Sequence, residues 1–292
     1  MNIRFTINVV ADGVHSRLRA SIVGEDGYVA KKTGLTCYRI AISVDDAKKA
    51  LGDLPLPHWW EPTTCQNRTS MISSTDGRPR MVIAYPLRHQ TYFNLSCIVR
   101  APGTTRSTTD SWHIEGDRSK MFEYFADFSE PFRLILRQGF LNLRSTVPKA
   151  NRDSAATEVK YWELQDLETL PTWTKGRAML IGDAAHAMTP MQGQGANMSI
   201  EDAEGLRLLV PGTCREDVPD ILKLVETVRK PRVTRVQADT RRSRDEFAGT
   251  AVDESGSGSS FAESWDRYLE FNYGYNGIHS ALKTWLEVNP RP

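Results

Sequence analysis

The chain has 292 residues, of which 40% are hydrophobic and 25% charged, and its formal net charge is +1. This composition is typical of a globular protein of one large or two ordinary domains, and it gives no reason to expect nucleic acid or an acidic membrane as a partner. No apolar run approaches the roughly 20 residues of a membrane span, and the start MNIRFTINVV lacks the apolar core of a signal peptide, so we expect a cytoplasmic protein.

The first half of the chain predicts a short strand and then an antiparallel sheet. The β-branched run Ile7–Val10 ends at Asp12-Gly13, and the following letters VHSRLR are typical of a helix start. Between Gly34 and Arg100 the runs TCYRIAI, RMVIAYPL and YFNLSCIVR alternate with polar or Pro/Gly segments, which predicts a mostly antiparallel sheet. The segment Lys120–Asn142 has aromatic residues at three- and four-residue spacings, which predicts a helix with these rings in the core.

The second half predicts a buried strand, a loop and helices. The strand ends at Met179–Ile181, and a helical pattern begins at Asn197. One face of that helix is predicted to be apolar, with Ile200, Ala203, Leu206 and Val210.

A long helix is predicted from about Val218 to Phe247, kinked or split at Pro231. We interpret its arginines as a solvated face rather than a phosphate-binding one, because acidic residues lie beside them. These arginines are Arg229, Arg232, Arg235, Arg241, Arg242 and Arg244.

The segment GTAVDESGSGSS is typical of a flexible linker, and we expect the aromatic tail SWDRYLEFNYGYN to pack back onto the body of the protein.

The four cysteines give no sign of a metal site. They stand at positions 37, 65, 97 and 214, far apart and without CxxC spacing. We therefore expect free thiols and no bound metal.

The stretch GDAAHAMTPMQGQGAN, residues 182–197, has the character of a ligand site. An acid at the carboxyl end of a buried strand, Asp183, lies where α/β sheets bind ligands, and it can accept hydrogen bonds from ribose or ribityl hydroxyls or cap its own turn. Gly193 and Gly195 let the backbone approach a flat ligand, and the helix that follows offers free N–H groups. Pro190 fixes the course of the loop.

A second candidate stretch, ADGVHSRLR, follows the first strand. Gly13 allows a tight turn, and Asp12 with the amides after it suits a pyrophosphate-ribose environment. Arg17 or Arg19 is expected either to meet a phosphate or to stabilise the fold.

Together the two stretches resemble the DG and GD motifs of the single-component FAD-dependent aromatic-ring monooxygenases, the para-hydroxybenzoate and salicylate hydroxylases among them. The resemblance covers roughly Val9 to Phe247, and it includes Trp173 with KGRAMLIGD, which is similar to the family's last FAD-domain strand. It implies that NAD(P)H reduces FAD, that dioxygen adds at flavin C4a, and that the hydroperoxide transfers one oxygen to the aromatic ring of a small-molecule substrate.

The resemblance also implies a role for each motif residue. Gly182 and Asp183 bind the ribityl-pyrophosphate region of FAD, and Pro190 faces the reaction side. Asp12, Gly13 and Arg17 lie near the pyrophosphate and the path of NAD(P)H. The flavin carries the chemistry, so no side chain is assigned a catalytic role, and His186 is either a hydrogen-bonded packing residue or a participant. The residues implied to line the flavin ring are Gly193, Gln194, Gly195, Ala196 and Asn197.

The glycine-rich turn G-x-G-x-x-G that opens the family's FAD domain is not found in this sequence, where the DG motif begins at residue 11. We therefore expect an N-terminally truncated chain that lacks the opening βαβ unit and binds FAD weakly or not at all. An exposed sheet edge would then favour association between copies of the chain, which would form a homo-oligomer.

The expected architecture is α/β (α+β). An incomplete FAD-binding Rossmann-like domain takes residues 1–24 and 160–211, a mostly antiparallel substrate-binding sheet takes 25–159, and C-terminal helices take 212–292 with a flexible linker near 249–260. We expect side chains of the sheet to form one wall of the substrate cavity, with the candidates Arg39, Arg80, Tyr85, Arg88 and His89.

Three functions stay open from the sequence. The first is an FAD-dependent monooxygenase, and the intact GD motif favours it. The second is a flavin-free isomerase or cyclase on the same scaffold, and the third is a non-catalytic remnant. The missing glycine-rich turn is the reason to keep the last two.

Overall fold

The computed structural model describes residues 7–60, 68–100, 115–116, 118–145, 159–249 and 268–289. The chain divides into two compact units, of which unit 1 comprises Met1–Lys31 with Gln165–Pro292 and unit 2 comprises Lys32–Leu164. The assignment of these parts of the chain to FAD and to substrate stays a prediction.

Unit 2 is built on an antiparallel sheet, as the sequence predicts. Its strand order is β3-β4-β5-β2-β7-β6, and the long strands pair in antiparallel register, with Ile40 opposite Leu95 and Val82 opposite Cys97. The strands are β2 (Lys31–Ser43), β3 (Ser70–Ser73), β4 (Arg80–Leu87), β5 (Tyr92–Arg100), β6 (Glu115–Gly116) and β7 (Val159–Asp166).

Alternation along these strands gives the sheet an apolar face and a more polar face. Ile40, Val82 and Leu95 lie on the apolar face and belong to the core of unit 2. The same core takes residues from helices α2 (Val44–Leu51) and α4 (Glu130–Ser145). The Ser43 hydroxyl caps α2 by accepting a hydrogen bond from the amide of Asp46 at 3.1 Å.

The segment predicted as one helix over Lys120–Asn142 forms two helices instead, α3 (Arg118–Tyr124) and α4. Pro131 stands at the second position of α4, where a missing N–H costs no hydrogen bond. The chain therefore turns before this proline and starts a new helix. The predicted aromatic core is confirmed at the turn, where Phe125, Phe128 and Phe132 have ring centroids 5.0 to 5.8 Å apart.

Unit 1 contains a three-stranded sheet in the order β1-β9-β8, formed by β1 (Asn8–Val10), β8 (Thr174–Lys175) and β9 (Ala178–Leu180). Strands β1 and β9 are parallel, and β8 is antiparallel to β9. The core of unit 1 joins residues of these strands to residues of the long helix α7. The helices of this unit are α1 (Arg19–Val23), α5 (Asp183–His186), α6 (Gly195–Gly205), α7 (Val218–Phe247) and α8 (Ile278–Val288).

Helix α7 runs through Pro231 as one helix, so the split that the sequence allowed is wrong, and a kink at this proline stays a prediction. The proline is exposed to solvent, while Val225, Val233 and Val236 on the buried side lie in the core. The packing of these residues holds the helix together despite the one N–H that proline removes.

The prediction of an inward apolar face on the helix after the glycine loop is wrong. Helix α6 begins at Gly195, and Ile200 is 67% exposed and Val210 53% exposed. The buried residues of α6 are Met198, Asp202 and Gly205. The inward side of this helix therefore carries the carboxylate of Asp202 and not an apolar row.

The aromatic tail packs onto unit 1 in the part of it that the structure describes, as predicted. Residues 268–273 are helical, and Tyr268, Asn272 and Ile278 are buried. The predicted linker lies outside the described residues except for Gly249.

Candidate functional site

The DG and GD turns lie next to each other at one edge of the sheet of unit 1. Val10 of β1 is opposite Leu180 of β9 in a parallel pair, and the amide of Ile181 donates to the carbonyl of Val10 at 3.0 Å. Because both strands run the same way, Asp12-Gly13 and Gly182-Asp183 leave the sheet at its carboxyl edge. This is the edge at which α/β sheets bind ligands.

Arg19 joins the two turns. Its side chain is 3% exposed and donates to the carbonyls of Val14 at 2.9 Å and Ala184 at 2.7 Å. Longer hydrogen bonds reach the carbonyls of Gly13 at 3.4 Å, Asp183 at 3.2 Å and Tyr28 at 3.3 Å. Of the two roles left open for this arginine, the structure shows the stabilising one.

The DG turn is closed by its own acid. The amide of Arg17 donates to Oδ2 of Asp12 at 2.9 Å, and Gly13 has a φ of 83°, which favours glycine. Burial acts to raise the pKa of Asp12, but the hydrogen bonds from Ser16 and from the amide of Arg17 outweigh it, so that pKa is lowered. The side chain of Arg17 is exposed and makes no hydrogen bond or ion pair with another described residue.

The GD turn requires glycine for two reasons. Gly182 has a φ of 58°, and a Cβ at this position would lie 2.8 Å from Oγ of Ser199. The amide of Gly182 donates to Oδ2 of Asp202 at 3.0 Å. Asp183 follows with an exposed carboxylate that accepts no hydrogen bond from any described residue. The carboxylate is therefore available to a ligand.

His186 is buried behind this turn. Its Nε2 lies 2.6 Å from Oδ2 of Asp202, its ring centroid lies 5.3 Å from that of Trp173, and its exposure is 1%. Of the two roles considered for His186, this position fits that of a hydrogen-bonded packing residue. Asp202, which bonds both Gly182 and His186, was not singled out from the sequence, and it lies five residues beyond the end of the stretch 182–197.

The loop that follows leaves open space beside its glycines. Pro190 begins a 3₁₀ turn, and Gly193 has a φ of 65°. Gly195 is the first residue of α6, and apart from its chain neighbours and its own helix backbone no described atom lies within 4 Å of where its Cβ would be. Packing within the described protein therefore gives no reason for glycine at this position.

Several polar groups of the loop are buried. Oγ1 of Thr189 and Nε2 of Gln192 have no hydrogen-bond partner among the described residues. Gln194 is buried and accepts from Nδ2 of Asn197 at 3.0 Å, whereas Ala196 is exposed. Such groups also occur elsewhere in the described structure, at Trp60 and Thr240 for example, so these two have free hydrogen-bonding capacity but do not by themselves indicate a ligand.

The more polar face of the sheet in unit 2 carries two of the predicted substrate contacts. Arg39 lies over the ring of Trp162 at 5.8 Å, and Tyr85 follows the core residue Ala84 and so points to this face. Nearby on the same face, Nδ2 of Asn94 donates to Oγ of Ser96 at 3.0 Å.

Arg80 does not belong to this group. It points to the apolar face, where NH2 donates to Oδ2 of both Asp76 and Asp127 at 2.8 Å. Its place among the substrate contacts stays a prediction. Arg88 and His89 lie in the hairpin between β4 and β5 with φ of 48° and 54°. A cavity of about 290 Å³ in unit 2 is lined by Arg80 and its carboxylate partners, and no motif residue is part of its lining.

Within the described ranges, no group of His, Cys, Asp and Glu side chains is arranged to hold a metal ion. No helix in the described part of the chain is long and apolar enough to span a membrane. The thiols of Cys37, Cys97 and Cys214 are free, and Cys65 lies outside the described residues.

Comparison with known proteins supports the family suggested by the two motifs. Residues 137–240 match the profile of an FAD-binding domain. Hispidin-3-hydroxylase of Neonothopanus nambi is 29% identical over 242 residues, which are 80% of this chain and 51% of that protein. Salicylate hydroxylase of Pseudomonas putida is 27% identical over 251 residues, which are 80% of this chain and 50% of that protein.

Solved structures show the same fold. A salicylate hydroxylase substrate complex matches with a TM-score of 0.65 at 20% identity, over 95% of this chain and 63% of that one. HpxO of Klebsiella pneumoniae, complexed with FAD and uric acid, matches with a TM-score of 0.57 at 20% identity, over 95% of this chain and 59% of that one. The chain spans about half the length of the curated relatives it matches. It is related to the FAD-dependent monooxygenases, and it has their mixed fold of helices and antiparallel sheet.

Proposed function

We propose that the protein is an FAD-dependent monooxygenase that uses NAD(P)H to hydroxylate an aromatic or phenolic small molecule. The observation that carries this proposal is the meeting of the DG and GD turns at the carboxyl edge of one parallel strand pair, with the exposed carboxylate of Asp183 and the glycine loop beside it. A flat ring would rest on the glycine backbone of this loop, where neither Gly193 nor Gly195 has a neighbour that fills the space beside it.

The residues of unit 1 fit FAD. The exposed carboxylate of Asp183 would accept hydrogen bonds from ribityl hydroxyls, and the amides at the start of α6 would face the polar edge of the ring. Asp12, Gly13 and Arg17 would hold the pyrophosphate side, where the exposed guanidinium of Arg17 suits a phosphate. When bound, FAD supplies the activation of dioxygen with electrons from NAD(P)H.

This chain would contribute position and polarity rather than a reacting side chain. Arg19 fixes the separation of the two turns, so Asp12 and Asp183 would meet one ligand at a set distance. Pro190, at the start of the loop, would border the side on which the substrate lies. His186 is buried against Asp202 and would hold the turn rather than touch the substrate.

The substrate would meet the more polar face of the sheet in unit 2. Arg39, Tyr85, Asn94 and Ser96 lie on this face and offer donors to a phenolic or acidic ring. We also propose a cytoplasmic location, and association between copies of the chain through the edge of β1, which has a strand on one side only in the described structure.

The substitution Gly195→Ala tests the proposal. The added methyl meets no described atom outside its own turn of the helix, so we expect the free energy of unfolding to stay unchanged or to rise by up to about 1 kcal/mol. FAD affinity, measured by equilibrium dialysis, should fall at least about tenfold because the methyl occupies the place of the ring.

A matched control is Gly27→Ala, which also adds a methyl at an exposed position with no described atom within 4 Å. This variant should bind FAD as the unchanged protein does. Equal FAD affinity in all three proteins would contradict the proposed position of the ring. Absence of saturable FAD binding in the unchanged protein, together with flavin-independent turnover, would favour the isomerase or cyclase alternative.

A further inference from the structure

Of the arginines of helix α7, Arg229 is buried and Arg232 is largely buried, contrary to the solvated face predicted from the sequence. Arg229 is 0% exposed, and the side chain of Arg232 is 11% exposed. Both donate to the carboxylate of Glu201 in α6, and the ring of Tyr275 lies 5.1 and 4.9 Å from their guanidinium carbons. Buried charges are retained in proteins only when they are paired, so this cluster has a defined arrangement.

Arg229 reaches toward the GD turn. Its Nε donates to Oδ1 of Asp202 at 3.2 Å, and the other oxygen of that carboxylate accepts from the amide of Gly182 at 3.0 Å. One side of the arginine cluster is therefore two hydrogen bonds away from the turn that carries Asp183.

Arg232 reaches in the opposite direction, to the segment 268–289, which we call the C-terminal segment. Its NH1 donates to the carbonyl of Phe271 and its NH2 to the carbonyl of Asn272, both at 2.8 Å. The ring of Phe271 lies 5.1 Å from the same guanidinium. These contacts fix the backbone on which Asn272 is carried.

Asn272 in turn contacts the glycine loop. Its Nδ2 donates to Oε1 of Gln192 at 3.1 Å, and both residues are buried. Nε2 of Gln192 has no partner among the described residues. Because Asn272 occupies the oxygen of the amide, the donor of Gln192 is the group left for a ligand.

We propose that Asn272 and Arg232 are positioning residues for the cofactor loop, through which the C-terminal segment orients Gln192 to donate a hydrogen bond to the bound flavin. The inference rests on the proposed function, since it needs FAD in the loop. It adds a part of the chain that the DG and GD motifs do not include.

Such an arrangement couples two events. FAD bound to Gln192 stabilises the docked C-terminal segment, and the docked segment raises the affinity for FAD by the same factor, because coupling between two sites is reciprocal. Docking and cofactor binding should therefore change together.

Asn272→Asp is the variant that tests the orientation of Gln192. The new carboxylate has nearly the same shape but accepts hydrogen bonds only, so Gln192 must turn its Nε2 toward it and present its oxygen to the ligand. We expect FAD affinity to fall by about five- to tenfold at neutral pH, at the low end of typical couplings. Affinity should recover at lower pH as the new carboxyl gains a proton and donates again.

Protonation also relieves the cost of burying a carboxylate, so urea unfolding of the variant at the same pH values is the readout that separates positioning from damage to the fold. At a neutral pH at which the variant is still fully folded, its FAD affinity should already be reduced. Lys223→Ala in helix α7 is the control, because it removes an exposed cation that pairs with Glu226 and makes no hydrogen bond or ion pair with the described C-terminal segment. This control should bind FAD as the unchanged protein does at every pH.

Hydrogen exchange of the unchanged protein with and without FAD gives a second measurement that needs no variant. We expect backbone amides of residues 268–278 to exchange more slowly when FAD is bound. If the unchanged protein binds FAD but this exchange is unaltered, or if Asn272→Asp binds FAD equally well at neutral pH, the inference is wrong while the proposed function stands. If the unchanged protein binds no FAD, both are wrong.

Discussion

Arg19 offers a direct way to measure what holds the DG and GD turns together. Replacement by alanine removes the guanidinium that bonds carbonyls on both turns, and it leaves those carbonyls without their donor. The two short hydrogen bonds, at 2.7 and 2.9 Å, should each count for about 1.5–3 kcal/mol, and the three longer ones for less. The cost of burying the charge offsets part of this gain.

We therefore expect Arg19→Ala to lower the free energy of unfolding by about 3–4 kcal/mol, which is a large effect for one substitution. Equilibrium unfolding in urea measures it. With a slope of about 2–3 kcal/mol per molar urea, the midpoint should move down by about 1–2 M. Arg19→Lys keeps the charge but has no planar fork, so it should recover only part of the loss.

The neighbouring Arg17 provides the matched control. Its side chain is exposed and has no bonded partner among the described residues, so Arg17→Ala should change the free energy of unfolding by no more than about 0.5 kcal/mol. A loss below about 1 kcal/mol in Arg19→Ala, or equal losses in the two alanine variants, would refute the reasoning that Arg19 joins the turns.

Three further predictions follow from single contacts. Gly182→Ala should destabilise the protein by about 1–3 kcal/mol in urea unfolding, because the residue has a positive φ and the new Cβ would meet Oγ of Ser199 at 2.8 Å; unchanged stability would contradict this. The hydrogen bonds from Arg80 lower the pKa of Asp127 in the folded protein. The pair therefore stabilises the fold fully above about pH 4, the pKa of this carboxyl in the unfolded chain, and the stabilisation is lost as the pH falls through its lower pKa in the folded protein. Urea unfolding at several pH values gives the difference in free energy of unfolding between the unchanged protein and Asp127→Asn. This difference should be constant above about pH 5 and shrink in acid, and a difference that grows in acid would contradict the lowered pKa. In the native protein, alkylation mapped by mass spectrometry should modify the exposed Cys214 well before the two buried thiols. Burial also raises the pKa of Cys37 to about 11, which slows its reaction further. Rapid modification of either buried thiol would contradict their burial. The buried thiols are Cys37 and Cys97.

The sequence predicted the parts of the fold that follow from regular patterns. Alternation in TCYRIAI, RMVIAYPL and YFNLSCIVR predicted the antiparallel strands of unit 2, because one face of such a sheet is buried and the other is not. The two motif turns lie about 170 residues apart in the chain, and they meet because each follows a strand of one parallel pair.

The inward face of helix α6 could not be predicted from hydropathy. Ile200 is exposed and Asp202 is buried, since the carboxylate bonds Gly182, His186 and Arg229. Such a network depends on partners from two other parts of the chain, the GD turn with the short helix after it and helix α7. An apolar pattern within one helix contains no information about them.

Two arginines show different limits of sequence reasoning. The direction of Arg80 could have been predicted, because it stands two residues before Val82 and so shares that core residue's face of the strand. The burial of Arg229 could not, because its neighbours along the helix include both charged and apolar residues, and only the fold shows that Glu201 and Asp202 face it.

A crystal structure of the chain grown with saturating FAD tests the central claim most directly. The account predicts an isoalloxazine ring against the backbone of Gly193–Asn197, with Asp183 bonded to the ribityl chain and Gln192 donating to the ring. Flavin bound elsewhere, or a loop that stays empty at saturating FAD, would contradict it.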